Sequence, residues 1–166
     1  LPVAQGTYII YRVQPNDTLY SISLALGSTV NQIEQLNALF PPFTDPGLIF
    51  PGQVLIVPNL YMQTFDTLYS VSEGDALYLI ADRFATNIGT LLRLNPQITD
   101  PNLILENELI RIPARIYTVA AGDTLNRIWR RTGVPISRII NANRGRAGFS
   151  PDVLFPGYGL VLPMGM

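Results

Sequence analysis

The chain has 166 residues, 48% hydrophobic and 14% charged, without a low-complexity tract, and no apolar run approaches the ~20 residues of a membrane span. Cys, His and Lys are all missing, which excludes disulfides, thiol chemistry, thiolate metal sites and the commonest general base, and nothing calls for a cofactor or a metal. The net charge of −1 hides an uneven distribution: residues 1–59 carry −2, 60–113 carry −4 and 114–166 carry +5, all the cations being Arg.

The chain opens at Leu1 without a signal-peptide pattern, which is read as a leader removed or never present. Residues 1–10 form a lead-in that runs into alternating Tyr8 and Ile10. A strand pattern follows, Tyr11-x-Val13, whose alternation sends both side chains to one face. Asn16-Asp17-Thr18 interrupts it, and Asp17 is expected to be the N-cap of a helix carrying Leu19, Ile22, Ser23 and Leu26, stopped by Gly27. A second helix is expected from Ser28 or Thr29, with Val30, Ile33, Leu36 and Asn37 on its inward stripe. A loop with Pro41-Pro42 and Asp45-Pro46-Gly47, a Pro51-Gly52 turn and a strand over Val54–Val57 close the segment at Pro58.

The same order returns twice. Asp75 precedes Leu77, Ile80, Ala81 and Phe84, then Ile88, Leu91, Leu92, Leu94 and Asn95. A loop over Asp100–Ile104 leads to a strand at Leu109–Ile112, with Glu106-Asn107 in place of Pro-Gly; Asn tolerates the left-handed conformation that the turn requires. In the third segment Asp123 precedes Leu125, Ile128 and Trp129, with a break at Gly133. Then come Ile136, Ile139, Ile140 and Asn143, the loop 144–148, the turn Pro156-Gly157 and a strand at Leu160–Leu162. The spacing is kept throughout. Ile lies five residues beyond each Asp (Ile22, Ile80, Ile128), Asn lies twenty beyond it (Asn37, Asn95, Asn143), and twelve residues separate each loop proline from the closing one (Pro46 to Pro58, Pro101 to Pro113, Pro151 to Pro163). Repeats of this period are one supersecondary unit each. The chain therefore divides into unit 1 (1–58, with the lead-in), a linker (59–68), unit 2 (69–113), a linker (114–116) and unit 3 (117–163). The three-residue linker predicts that units 2 and 3 pack rigidly together.

Tyr11-Arg-Val-Gln-Pro-Asn-Asp-Thr-Leu19, Tyr69-Ser-Val-Ser-Glu-Gly-Asp-Ala-Leu77 and Tyr117-Thr-Val-Ala-Ala-Gly-Asp-Thr-Leu125, with closing runs such as Pro51-Gly-Gln-Val-Leu-Ile-Val-Pro58, resemble LysM domains, over about 145 residues of the chain. The resemblance implies an α+β fold of three tandem βααβ units, each with two helices on a two-stranded antiparallel sheet. It implies a glycan containing N-acetylglucosamine, peptidoglycan or chitin, held in a shallow groove between two loops. Carried over residue by residue, the first loop is Asn16, Asp17, Thr18 and Leu19; Gly74, Asp75, Ala76 and Leu77; Gly122, Asp123, Thr124 and Leu125. The second is Pro46, Gly47, Leu48 and Ile49; Pro101, Asn102, Leu103 and Ile104; Pro151, Asp152, Val153 and Leu154. Main-chain groups of the two loops would bind the acetamido N–H and C=O, and Leu or Ile would shelter its methyl. Unit 1 departs from the pattern with Asn16 for Gly, and unit 2 with Ala76 for Thr. If the Thr hydroxyl touches sugar, unit 2 binds more weakly.

The individual signals also have plainer readings. The repeated Asp is expected to be mainly a helix cap, the repeated Asn a buried amide satisfying loop backbone, and Tyr11, Tyr69 and Tyr117 core edges. Trp129 is expected in core or inter-unit packing. The Arg-rich third unit reads as a solvated face docked on the acidic second unit, with a polyanion site as the alternative. Catalysis is set aside: the carboxylate pairs Asp17/Asp45 and Asp75/Asp100 have no counterpart in unit 3, where Ser150 stands, and Asp before Pro begins turns. The expected partner is thus a polysaccharide of N-acetylglucosamine, not nucleic acid, with an extracellular location at a cell wall or spore surface. The alternatives are the targeting region of a cell-wall hydrolase, or an adaptor contacting protein through Leu60-Tyr61-Met62, Phe40, Phe43 and Phe149.

Overall fold

A computed structural model describes residues 6–41, 47–62, 64 and 66–164. Unit 1 holds β1 (Thr7–Arg12), α1 (Leu19–Leu26), α2 (Val30–Leu36) and β2 (Val54–Asn59). Unit 2 holds β3 (Thr67–Ser70), α3 (Leu77–Arg83), α4 (Ile88–Leu94) and β4 (Leu109–Arg111). Unit 3 holds β5 (Ala114–Thr118), α5 (Leu125–Thr132), α6 (Ile136–Ala142) and β6 (Gly159–Pro163). Each unit is α+β, and within each the outer strands pair antiparallel, Tyr11 opposite Leu55, Tyr69 opposite Ile110 and Tyr117 opposite Leu160. The residues between units 2 and 3, Ala114 to Ile116, are the start of β5 rather than a free connection.

The repeated Asn explains how each helical pair is fastened to its sheet. Asn37 Nδ2 donates to Ile33 O in the last turn of α2 and to Ile56 O, while its Oδ1 accepts from Ile56 N. Asn95 does the same with Leu91 and Arg111, and Asn143 with Ile139 and Val161. The amide is buried as expected, but its partners are the helix end and the closing strand, not loop backbone. A carboxylate could not replace it, because the site needs a donor and an acceptor on one planar group.

Units 1 and 2 do not keep separate sheets. β1 lies parallel to β3, giving one four-stranded sheet in the order β2-β1-β3-β4, while β5 and β6 form a second sheet. Ile10 pairs with Tyr69, whereas the repeat equates Tyr11 with Tyr69, so the two units meet one residue out of register. A one-residue slip sends equivalent side chains to opposite faces. Accordingly Ile9, Leu55 and Val57 share a core with Leu19, Ile22 and Ile33 of unit 1, and Leu68 of unit 2 joins them. On the other face Ile10, Val54 and Ile56 of unit 1 pack with Tyr69, Leu77, Ile80, Phe84 and Leu91 of unit 2. That same cluster takes in Ala114, Ile116, Ala142 and Val161 of unit 3, whose own core is Tyr117, Leu125, Ile128, Ile139 and Leu160. Units of this size approach the limit of independent folding, and here they share apolar surface rather than standing alone.

Three of the hydrogen bonds that dock unit 3 on its neighbours go to main-chain acceptors. Asn141 Nδ2 donates to Asp82 O at 3.2 Å, Val54 N donates to Gly145 O at 3.0 Å, and the Arg83 guanidinium donates to Arg144 O. None of the three ion pairs among the described residues joins an Arg of unit 3 to an acid of unit 2; they are Arg12–Asp75, Arg111–Asp66 and Arg131–Asp123. The solvated-face reading holds for the exposed Arg115, Arg127, Arg130, Arg131, Arg138 and Arg144, but charge pairing with unit 2 is not what docks the unit.

Trp129 is 44% exposed and lies outside the buried cores, contrary to the packing role expected for it; it stands one residue past the core position Ile128, on the solvent side of α5. Phe149 packs against the unit 3 core instead of offering an exposed contact, while Leu60, Tyr61 and Met62 are exposed. Phe43, Asp45 and Pro46 lie outside the described residues.

Candidate functional site

The first loop of every unit is built on one tight turn. Asp17 N donates to Gln14 O at 3.1 Å, Asp75 N to Ser72 O at 3.0 Å and Asp123 N to Ala120 O at 3.1 Å. The third residue of each turn is left-handed: Asn16 at φ 72, Gly74 and Gly122 at φ 85. A type II turn requires this, and Asn16 after Pro15 meets the demand as Gly does. The carboxylate then reaches back across the turn. It accepts from the first turn residue's N–H at 2.8 Å in each unit (Gln14, Ser72, Ala120) and from the Tyr hydroxyl six residues earlier, at 2.5 Å from Tyr11, 2.7 Å from Tyr69 and 2.8 Å from Tyr117.

The repeated Asp is therefore not the helix cap. The caps are one residue on: Thr18 Oγ1 accepts from Ser21 N at 3.0 Å and Thr124 Oγ1 from Arg127 N at 3.1 Å, while Ala76 caps α3 with no side-chain bond. Asp is drawn away from the cap because the turn N–H and the Tyr hydroxyl together offer its carboxylate two donors. Burial, then the bond to Asp123, push the Tyr117 hydroxyl up to about 12, and burial followed by the Asp75 bond raises Tyr69 in the same way. Burial works against ionisation of Asp123. The Ala120 N–H, the Tyr117 hydroxyl and the Arg131 guanidinium at 2.6 Å outweigh it and hold this carboxyl below its ordinary value.

The second loop ends on a matching turn. Gln53 N donates to Phe50 O, Glu108 N to Leu105 O and Tyr158 N to Phe155 O, each at 3.1 Å, with Gly52, Asn107 and Gly157 left-handed at φ 90, 69 and 88. Asn107 thus does the work of Gly, as its residue type predicted. The two loops are zipped at their bases: Val13, Val71 and Val119 each exchange a pair of main-chain hydrogen bonds with the turn opposite, at 2.7–2.9 Å. Asp100 Oδ1 accepts from Asn102 N and Ser150 Oγ from Asp152 N, so both residues begin turns, which leaves Asp100 a structural use in place of the catalytic one weighed for it.

Of the residues anticipated at the site, the two loops bring some to the surface and bury others. Gly74, Gly122, Asn16, Thr18 and Thr124 are exposed in the first loop, and Ala76 is half-buried. Gly47, Pro101, Asn102, Pro151 and Asp152 are exposed in the second. Leu48 (43% exposed), Leu103 (66%) and Val153 (52%) stand at one repeat position and turn aliphatic side chains to solvent. Their neighbours Ile49, Ile104 and Leu154 are half-buried and pin the loop to each unit's core. Leu19, Leu77 and Leu125, in contrast, are core residues, because each begins the first helix on its inward stripe; their side chains cannot line a surface groove.

Two tyrosines escaped the sequence reading. Tyr20 and Tyr78 directly follow the first loop at the same repeat position and are exposed; Asn126 stands there in unit 3. The signal was available, since an apolar helix position that falls off the i, i+3, i+4 stripe points outward. Phe50 and Leu105, at the start of the second turn, are exposed as well. No helix among the described residues is long and apolar enough to cross a membrane, and no cluster of acidic residues among them is arranged to hold a metal.

The chain is 37% identical to an endolysin of Bacillus phage PZA over 45% of its length and 30% of that protein. It is 26% identical to an autolysin of Enterococcus faecalis over 96% of its length and 25% of that protein, and 25% identical to the N-acetylmuramoyl-L-alanine amidase sle1 of Staphylococcus aureus over 90% and 51%. The chain thus spans between 25% and 51% of these curated relatives. Among solved structures, the Bacillus cereus spore cortex-lytic enzyme SleL matches at 26% identity and TM-score 0.45, over 64% of this chain and 22% of that one. LysM is a binding module, and LysM domains bind glycans containing N-acetylglucosamine. The LysM domain pattern matches residues 11–58, 69–113 and 117–163, which is most of the sequence, and the chain belongs to the LysM domain family.

Proposed function

We propose that this chain is a non-catalytic binder of glycans rich in N-acetylglucosamine, peptidoglycan or chitin, acting at a cell wall or spore surface. The observation that carries the reading is the threefold pairing of an exposed main-chain turn, left-handed at Asn16, Gly74 or Gly122, with a second loop presenting Leu48, Leu103 or Val153 to solvent. An acetamido group needs one donor, one acceptor and a small apolar shelter, and no charge. The carboxylates nearest the loops are occupied by Tyr hydroxyls and turn N–H groups, which leaves Asp17 and Asp75 structural work in place of acid–base work.

A targeting role within a cell-wall hydrolase is the second reading. It is favoured by relatives named autolysin and amidase, of which this chain covers 25% and 51%. Calorimetric titration with N-acetylglucosamine oligomers tests the binding, beside a pull-down on insoluble peptidoglycan and on chitin. Saturable heat with the pentamer is expected; a flat response up to millimolar hexamer would end the proposal.

A further inference from the structure

Resting on that reading of the loops, we infer that units 1 and 2 act as a fixed pair that holds two separate glycan strands and so bridges them. The inference comes from the operation that relates the two units. β1 and β3 are parallel neighbours, and each runs directly into the first loop of its unit. β2 and β4 are antiparallel to them, and each leaves the second loop from the same end. All four loops therefore gather at one end of the four-stranded sheet. The one-residue slip between Ile10 and Tyr69 puts the helices of the two units on opposite faces. Unit 1 is carried onto unit 2 by a half-turn about an axis parallel to the strands, with a slide of one residue, about 3.3 Å, and a lateral step of two strand spacings, about 10 Å.

A half-turn about that axis has a consequence for a polymer with direction. A strand lying across the sheet end in the first groove reappears in the second with its reducing and non-reducing ends exchanged, so one straight strand cannot run through both. A strand lying along the strand direction reappears on the opposite face, beside the first and not in line with it. Either way the pair calls for two strands. The Arg12–Asp75 ion pair at 3.8 Å ties the end of β1 to the first loop of unit 2, and shared apolar packing on both faces holds the two grooves at a fixed angle.

The test uses the full chain with Val153→Arg, which closes the exposed second loop of unit 3. Pentamers of N-acetylglucosamine carrying donor or acceptor dyes at the reducing end are titrated in. Two pentamers per chain, with energy transfer between them, are expected, and adding either Leu48→Arg or Leu103→Arg should leave one pentamer per chain and no transfer. Octamers should also bind two per chain, tightening by less than about twofold. One octamer per chain, bound at least about tenfold more tightly than the pentamer, would show one strand serving both grooves and overturn the pairing. Binding by the parent chain that Val153→Arg abolishes would overturn it too while leaving the glycan reading intact. No binding by the parent chain would remove both. All three substituted residues are exposed, and circular dichroism verifies that each variant keeps its fold.

Discussion

Arg146 Nη2 donates to Asn37 Oδ1 at 2.9 Å, joining residues 109 positions apart. Its other terminal nitrogen donates to Asn143 Oδ1 at 3.1 Å and to Gly159 O, and the guanidinium lies 4.3 Å over the Tyr158 ring. Asn37 and Asn143 are the same repeat position in units 1 and 3, so one cation fastens the two anchoring amides together. The residue is 6% exposed and no carboxylate among the described residues pairs with it; burial lowers its pKa from the ordinary Arg value. Only a planar group with several donors can serve acceptors in these directions at once, which an ammonium cannot.

Removing that group should weaken the whole chain rather than one unit. Arg146→Ala leaves the Gly159 carbonyl and two amide oxygens short of a donor and opens a cavity, a loss of about 3 kcal/mol. Urea denaturation of the parent, Arg146→Ala, Asn37→Ala and the double variant should give a coupling of about 0.5–3 kcal/mol between the two sites. Additive losses would mean that the contact contributes nothing specific to the joint.

Two irregularities in unit 2 predict stabilising substitutions. Ala76 caps α3 without a side-chain acceptor, whereas Thr18 and Thr124 supply one. Ala85 sits at φ 55, where the other units place Gly27 and Gly133. Ala76→Thr should add about 1 kcal/mol through the cap, and Ala85→Gly up to about 1 kcal/mol by relieving a left-handed Ala. Because the Thr oxygen accepts from the helix, its proton stays free to donate, so Ala76→Thr should also strengthen glycan binding by unit 2. A stabilised variant with unchanged affinity would confine the hydroxyl to capping.

The Asp123 network predicts how unit 3 responds to pH. Its folded-state pKa is lowered, so the stabilisation is complete above the unfolded value, about 3.9, and fades as pH falls through the folded one. Tyr117 has the opposite sign: its folded value is raised to about 12, so its contribution is complete below the unfolded value and is lost as pH rises toward 12. Asp123→Asn should cost about 1–3 kcal/mol at neutral pH, flatten the acid side of the stability profile and bring the tyrosine titration down. Stability curves and a spectrophotometric tyrosine titration report these separately; an acid limb identical to the parent's would assign the acid sensitivity elsewhere.

Much of this architecture was legible in the residues. The matched Asp, Ile, Asn and Pro spacings gave the helices and the left-handed turn at Asn107, because local chemistry decides those features. The cap was misplaced by one residue, because Asp17 and Thr18 are both good caps and only the Tyr11 hydroxyl, brought near by the turn, separates their roles. The shared sheet could not be read at all. Pairing of β1 with β3 depends on which edge a neighbouring unit reaches, and Ile9 and Ile10 are both apolar, so alternation alone does not tell which face each unit uses. The same ambiguity is what allows both faces of one sheet to be covered.

Adjacent residues at the helix start should separate folding from recognition. Leu77 is 1% exposed and Tyr78 is exposed, though both follow the same loop. Leu77→Ala should cost about 2–5 kcal/mol of stability by emptying core volume. Tyr78→Ala should change stability by no more than about 0.5 kcal/mol, as an exposed substitution does. If its ring supports a sugar, affinity should fall by about 1 kcal/mol, roughly fivefold, and Tyr20→Ala should do the same for unit 1. Thermal unfolding and oligomer titration on the four proteins distinguish the cases. Unchanged affinity in both tyrosine variants would restrict recognition to the two loops, with the ring faces merely solvated.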